Sequence, residues 1–325
     1  MFSTNRDTPL AASTVRDTIS ALSAAFTAND RNDPVLNTQG KTHRILQLQF
    51  AAYRNDDPPV KHQRALTLDF ILQIYHEQTT PVDCCFGPLL IMAFFFAFRS
   101  CEYLTVTGTR KTKLLCVQDF RFFLNKAEIS HQNPDHLHFA DIISITFRDQ
   151  KNGEKEETIT LSRTNDPIAC PVAQAAAIIR RILQIPGTGP VSSINTYISD
   201  GIIYTLSSSV ALERIRRKAR QIGAPALGHE PEDYGIHSGR SAAAMAMILA
   251  GLPTYVVMLV GRWKSDAFLT YIRKQVQEFS NTISRSMINV LTFFHPPSAA
   301  ISARTTLAGR EAQATAHISR KKARR

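Results

Sequence analysis

Hydrophobic positions recur every three or four residues over much of the chain, which predicts a largely helical protein. Three such stretches lie in the first 80 residues: "STVRDTISALSAAFTAN", "THRILQLQFAAYR" and "RALTLDFILQIYHEQ". The paired prolines of "RNDDPPVKH" separate the last two, because proline ends helices. We therefore predict a small helical domain over residues 1–80. The apolar run Cys84–Phe98 predicts a buried helix, since it is shorter than the roughly 20 residues that span a bilayer.

A period of two replaces the helical period in the middle of the chain. "LLCVQDFRFFL" predicts a strand, and "DIISITFRDQKNGEKEETITLSR" predicts a hairpin with Asn152-Gly153 in its connection. From Pro171 onward the pattern is mostly helical again, and "SAAAMAMILAG" predicts a helix closed by Gly251. The predicted fold class is mainly α with one small antiparallel β-sheet (α+β).

Charge narrows the class of partner. The formal net charge of the 325 residues is +11, and residues 1–80 contribute none of it, with eight basic and eight acidic side chains. The excess lies in the body, residues 81–296, and in the tail, residues 297–325, where seven basic residues face one acidic residue. A polyanion is the partner that such a balance favours. The tail is rich in Ala, Ser and Arg and is predicted to be disordered.

Composition argues against several other classes. The five cysteines form no C-x-x-C pair, which disfavours a zinc site or a disulfide framework. The first residues are polar, with no apolar segment typical of a signal peptide. The sequence contains no cluster of carboxylates of the kind that binds a metal, so we expect neither a metal nor a cofactor. We also expect no membrane partner.

Two polar clusters in the first part of the body could carry chemistry. Arg99 and Glu102 follow the most apolar stretch of the chain in "FRSCEYL". They are either an ion pair at a helix end or a phosphate ligand, Arg99, whose stem is held by the core. Lys151, beside Asn152-Gly153, is either a solvated hairpin lysine or an acid for a leaving oxygen.

Two further clusters lie towards the end of the body. In "GIHSGRSAAAM", His237 and Arg240 are spaced to share one face at a helix start, where free N–H groups attract anions. In "GRWKSDAFLTYIR", Trp263 precedes Tyr271, whose ring is either packed in the ordinary way or carries a nucleophilic hydroxyl. Taken together, two arginines, a lysine, a histidine and a tyrosine are what metal-free phosphoryl transfer to tyrosine requires.

The ordered set of these motifs resembles the tyrosine recombinase (phage-integrase-type) family. The resemblance covers about residues 81–294 and rests mainly on "HSGRSAAAMAMILAGLPTYVVMLVGRWKSDAFLTYIR". It is greatest to recombinases of eukaryotic mobile elements, such as Crypton-type transposons and tyrosine-recombinase retroelements. The gap of eight residues between Trp263 and Tyr271 is one shorter than is usual in that family.

The resemblance implies both an architecture and a mechanism. Residues 1–80 would be a core-binding (SAM-like) domain that completes a clamp around double-stranded DNA, and residues 81–296 the catalytic domain. Tyr271 would form a 3′-phosphotyrosine link, stabilised by Arg99 and Arg240. Lys151 would protonate the leaving 5′-oxygen with help from His237, while Trp263 braces the site. Glu102 would orient a neighbouring basic group without touching DNA.

The remaining expectations concern DNA binding, assembly and location. The segment "ALERIRRKARQIG" predicts a helix whose basic residues lie outside its apolar face, namely Arg214, Arg216, Arg217, Lys218 and Arg220. This basic face is either solvated or directed at DNA. The resemblance implies a homotetramer on DNA. "SRKKARR" at the end of the tail predicts either nuclear import or phosphate binding. Two other functions stay open, namely a type IB topoisomerase and a non-catalytic DNA-binding protein derived from a recombinase.

Overall fold

The computed structural model describes residues 10–57, 63–106, 113–148, 156–263 and 269. The described residues form ten α-helices and six strands. The helices are α1 (Ala12–Ala28), α2 (Arg44–Asp56), α3 (Leu68–His76), α4 (Pro81–Phe95), α5 (Ser100–Tyr103), α6 (Pro171–Leu183), α7 (Ser208–Ile222), α8 (Ala224–Leu227), α9 (Ser238–Leu249) and α10 (Thr254–Gly261). The strands are β1 (Phe120–Leu124), β2 (Ala127–Ile129), β3 (Ile142–Phe147), β4 (Glu157–Ser162), β5 (Thr196–Ser199) and β6 (Ile202–Thr205). The α+β class predicted from the sequence is confirmed.

The chain divides into two compact units, Met1–His62 and Gln63–Arg325. In the first unit α1 packs against α2, and the carboxylate of Asp57 accepts the Ala12 N–H at 2.9 Å, which satisfies one of the unpaired donors at the start of α1. The helix α3, which the sequence pattern groups with residues 1–80, lies in the second unit. It packs on α4 through buried Phe70 and Ile71. The assignment of residues 1–80 as a DNA-binding domain stays a prediction.

Helix α4 forms the centre of the second unit. It contacts α3, α6, α9 and β5, and its residues from Cys85 to Ala93 are all buried. Such a helix is apolar on every side because every side is covered. The buried helix predicted from the apolar run is therefore confirmed, although it begins at Pro81 and ends at Phe95. None of the helices in the described ranges is long and apolar enough to cross a membrane.

A four-stranded antiparallel sheet, in the order β2-β1-β3-β4, covers part of this core. Ile143, Ile145 and Phe147 of β3 point into the core, as their alternation predicts. The strand predicted over "LLCVQDFRFFL" is only partly correct. Its first half forms a 3₁₀ turn, Val117–Asp119, because the Asp119 carboxylate accepts the Cys116 N–H at 2.8 Å and closes the chain into a turn.

A second sheet, formed by β5 and β6, is absent from the sequence prediction of one sheet and corrects it. Its two strands are joined by Asp200-Gly201, both with positive φ (51° and 75°), as the tight turn of a hairpin requires. All four residues of β6 are exposed, so no hydrophobic alternation marked the strand.

Candidate active site

Arg99 and Glu102 lie just beyond α4, at the start of α5 and within it. Ala97 takes a left-handed backbone conformation (φ 47°), which ends the helical path and turns the chain towards α5. Glu102 is buried and binds Arg99 twice, accepting its backbone N–H at 2.8 Å and its Nη1 at 3.0 Å. The guanidinium of Arg99 is thus fixed by a carboxylate one turn further along, and its side chain keeps 16% exposure.

Arg240 lies in the first turn of α9 and is buried. Its Nη1 donates to the Ala97 carbonyl and its Nη2 to the Gly261 carbonyl. One guanidinium therefore connects the end of α4, the start of α9 and the end of α10. The structure brings the two predicted phosphate ligands, Arg99 and Arg240, to the same junction of helices.

Trp263 closes this junction on one side. The Cζ of Arg240 lies 4.2 Å from the centre of a Trp263 ring, a cation–π contact. A Cβ placed on Gly261 would come within 1.6 Å of the same indole, so only glycine fits at this position. The role that the resemblance implies for Trp263, bracing a catalytic site, stays a prediction.

Arg262 is a buried residue of the junction that sequence reasoning missed. Its side chain is fully buried, its Nη2 pairs with Glu102 Oε2 at 2.7 Å, and its Cζ lies 3.5 Å from the centre of the Phe147 ring. Burial lowers the pKa of Arg262 to about 10, against the opposing effect of Glu102. The resemblance places Trp263 of "GRW" in the site, and the gap of eight residues to Tyr271, one shorter than is usual in that family, is the sequence signal that points to Arg262.

His237 lies at the start of the same helix as Arg240. It is the residue directly before α9, which begins at Ser238, three residues before the predicted "SAAAMAMILAG" segment, and its side chain is half-buried. Its backbone N–H donates to Gln63 Oε1 at 3.0 Å. Lys151 and Tyr271, the predicted acid and nucleophile, lie outside the described residues.

The predicted DNA-facing helix is α7, and its basic residues make internal contacts. Arg214 pairs with buried Asp83 at 2.8 Å, and Arg217 approaches the same carboxylate at 3.6 Å. Lys218 lies on the buried face, not outside it as the sequence predicts, and it pairs with Glu77. Arg216 donates to two backbone carbonyls, and Arg220 is exposed.

Two other features of the described residues complete the comparison of candidate sites. A groove of 610 Å³ between α3, α8 and α9 is lined mainly by apolar side chains and includes none of the junction residues. No group of three or more His, Cys, Asp or Glu in the described ranges is arranged to hold a metal ion. Among the described residues, the helix junction is where the predicted site residues Arg99, Glu102, Arg240 and Trp263 meet.

Comparison with known proteins gives a likeness at the level of solved structures. No model of a protein family matches the chain, and no curated protein matches it. The chain is similar to the Tn1549 transposon integrase in complex with transposon right end DNA (13% identity, TM-score 0.44, covering 83% of this chain and 80% of that one). It is also similar to the XerH site-specific recombinase bound to difH substrate (14% identity, TM-score 0.45, covering 82% and 61%).

A further similar structure is that of XerH bound to a palindromic difH substrate, a post-cleavage complex (14% identity, TM-score 0.45, covering 85% and 73%). These neighbours are tyrosine recombinases and integrases. At these identities and TM-scores the likeness alone assigns neither a family nor an activity to this chain. Any such assignment therefore depends on the residues of the helix junction.

Proposed function

We propose that this chain is a tyrosine recombinase, which cuts and rejoins DNA strands at specific sites and serves the movement of a mobile element. The observation that carries the proposal is the convergence of Arg99 and Arg240 on the turn that ends α10. Two guanidinium groups held this way suit the non-bridging oxygens of one phosphodiester. Leu269 and Trp263 both pack against the cluster of buried Met245 and Val257, and Tyr271 follows Leu269 by two residues in the sequence.

In the proposed reaction the hydroxyl of Tyr271 attacks the phosphorus of the scissile phosphodiester. A bond forms between the tyrosine oxygen and phosphorus, and the bond to the 5′-oxygen breaks. The proton that the Tyr271 hydroxyl loses passes to His237, and Lys151, with His237, supplies the proton that makes the 5′-oxygen a free hydroxyl. Arg99 and Arg240 stabilise the charge on the pentavalent transition state. Attack by a 5′-hydroxyl on the phosphotyrosine reverses these steps and rejoins a strand, without ATP.

The test is covalent trapping on a nicked duplex that carries candidate recombination sites. We expect the wild-type protein to form a denaturant-resistant DNA complex, also in excess EDTA, because the arginines supply the positive charge. Tyr271→Phe should abolish the complex while DNA affinity changes little, since only a hydroxyl is lost. The matched control is Tyr255→Phe on α10, where the tyrosine is 65% exposed. Trapping by the Tyr271→Phe variant, or dependence on added magnesium, would refute the proposal.

The assembly and the cellular location form part of the same proposal. We propose a homotetramer on double-stranded DNA, because exchange between two duplexes requires four strand cleavages. Light scattering of the DNA-bound protein measures this stoichiometry. Plasmid relaxation by a monomer without strand exchange would instead indicate the topoisomerase function, and DNA binding without cleavage the non-catalytic one. For a eukaryotic source, "SRKKARR" would direct the protein to the nucleus, which a reporter fused to residues 297–325 tests.

A further inference from the structure

Two consecutive backbone carbonyls at the end of α10 each accept a hydrogen bond from one of the two site arginines. The Gly261 carbonyl accepts from Arg240 Nη2, and the Arg262 carbonyl accepts from Arg99 Nη2 at 3.0 Å. Adjacent carbonyls are joined by a planar peptide unit, so their separation and directions depend only on the local backbone dihedrals. The geometry of this turn therefore sets how far apart the two guanidinium groups lie and which way each one faces.

The turn has a conformation that its sequence does not favour. Arg262 follows the last residue of α10 with φ 53° and ψ 47°, in the left-handed region. The Trp263 N–H bonds to the Met258 carbonyl at 2.9 Å and the Arg262 N–H to the Leu259 carbonyl at 3.1 Å, which is the helix-ending pattern where glycine is usual. A side chain in this region costs about 1–2 kcal/mol, so another interaction has to hold the residue there.

The side chain of Arg262 provides that interaction. It is fully buried between the Glu102 carboxylate and the Phe147 ring, and its Nη1 also donates to the Phe96 carbonyl at 3.3 Å. Glu102 belongs to α5 and Phe147 to β3, so the side chain anchors the turn to two separate elements. On the other side, the indole of Trp263 fills the space above Gly261 and contacts Arg240.

We infer that Arg262 is a positioning residue, which, through Glu102, fixes the Gly261–Arg262 turn and thereby holds Arg99 and Arg240 as a preformed anion-binding pair. Its own guanidinium is occupied by the Glu102 carboxylate, the Phe96 carbonyl and the Phe147 ring, so its role is to hold the turn. The biological meaning of the inference rests on the proposed function. The binding of an anion by the pair can be measured without any DNA cleavage.

The sequence supplies a direct reporter, because Trp263 is the only tryptophan and lies against Arg240. Titration of the full chain with inorganic phosphate, followed by tryptophan emission, should saturate for the wild-type protein. Arg262→Met keeps the apolar stem but removes the anchor. We expect its affinity for phosphate to be about tenfold weaker or more, because hydrogen bonds to charged groups are lost.

Arg262→Met leaves buried Glu102 with Arg99 as its remaining cationic partner, and the lost buried ion pair could by itself unfold the protein. The double variant Glu102→Gln, Arg262→Met removes both charges, which often preserves folding. If circular dichroism shows it folded, its phosphate affinity should still be low, because the turn is no longer anchored. Arg262→Lys should recover part of the affinity, since an ammonium group can pair with Glu102. Arg121→Met, at an exposed arginine of β1, controls for the loss of one positive charge.

Two results would overturn the inference. One is unchanged phosphate affinity in a folded variant that lacks Arg262. The other is the absence of saturable phosphate binding to the wild-type protein, since there would then be no anion-binding pair to position. If the wild-type protein traps no DNA, or if Tyr271→Phe traps it equally well, while phosphate binding still depends on Arg262, the proposed reaction is refuted and the positioning role stays intact.

Discussion

Substitution of Glu102 by glutamine should destabilise the protein more than the loss of an exposed ion pair would. Glu102 faces two guanidinium groups, at 2.7 Å from Arg262 and 3.0 Å from Arg99. Glutamine keeps the size of the side chain and removes its charge, so two cations would then face each other across a neutral amide. Arg99 retains 16% exposure and can be partly hydrated, whereas the Arg262 side chain has none. Most of the loss should therefore come from Arg262.

The expected magnitude follows from this burial. Removal of one partner of a buried ion pair costs about 3–5 kcal/mol, because the remaining charge has no counter-charge and little water. Urea unfolding of wild-type and Glu102→Gln proteins measures the difference in free energy of unfolding. The matched control is Glu128→Gln, whose partner Arg121 is also an arginine, but with both side chains about half exposed (47% and 55%). Water already screens that pair, so its loss should produce no measurable change. If the two variants lost the same stability, Arg262 would not depend on Glu102, and the description of the junction as a charge-balanced unit would be wrong.

Two further predictions concern packing and pH. Gly87→Ala should lower the free energy of unfolding by up to about 2 kcal/mol. A Cβ at this position would lie 3.2 Å from the Tyr75 Cα, and such overpacking costs about 1–3 kcal/mol. The higher helix propensity of alanine offsets about 1 kcal/mol of this cost. Equal or higher stability in thermal unfolding would show that α3 moves away from α4 without cost. His131 has a pKa lowered chiefly by burial, although Glu128 acts in the opposite direction. The unfolded chain therefore binds the proton more readily than the folded one. The free energy of unfolding should fall as the pH drops through about 6.5, the ordinary histidine pKa. Urea unfolding at several pH values should show a smaller fall for His131→Gln.

Elements with a strong internal pattern could be predicted from the sequence alone. The alternation of Ile143, Ile145 and Phe147 identified β3, since one face of that strand is buried and the period is two. The hairpin of β5 and β6 was missed for the opposite reason: its residues are largely exposed, and burial imposed no alternation. The Asp200-Gly201 pair, a dipeptide typical of tight hairpin turns, is the signal that the sequence offers for it.

The charged site could be predicted from the sequence only in part, for a different reason. Arg99, Glu102 and Arg240 could be selected because each stands beside an apolar helix, where a charge requires an explanation. Arg262 stands in an equally apolar context, but its pairing with Glu102 joins positions 160 residues apart along the chain. Periodicity describes neighbours within one element, so a contact between α5 and the end of α10 leaves no local pattern.

The basic helix α7 shows why charges counted along a sequence overstate a binding surface. Five basic residues in "ERIRRKAR" suggested a face for DNA, and the periodicity placed all of them outside the apolar stripe. In the folded chain, Asp83 and Glu77 reach this helix from α4 and from the end of α3, and they pair with Arg214, Arg217 and Lys218. Those contacts fix α7 on the core, and each phosphate that competed for these groups would have to displace a carboxylate. Arg220, which is exposed, is the residue of the five best placed to meet a phosphate without that exchange. If α7 does face DNA, the number of counterions released on binding should therefore be smaller than its five charges imply.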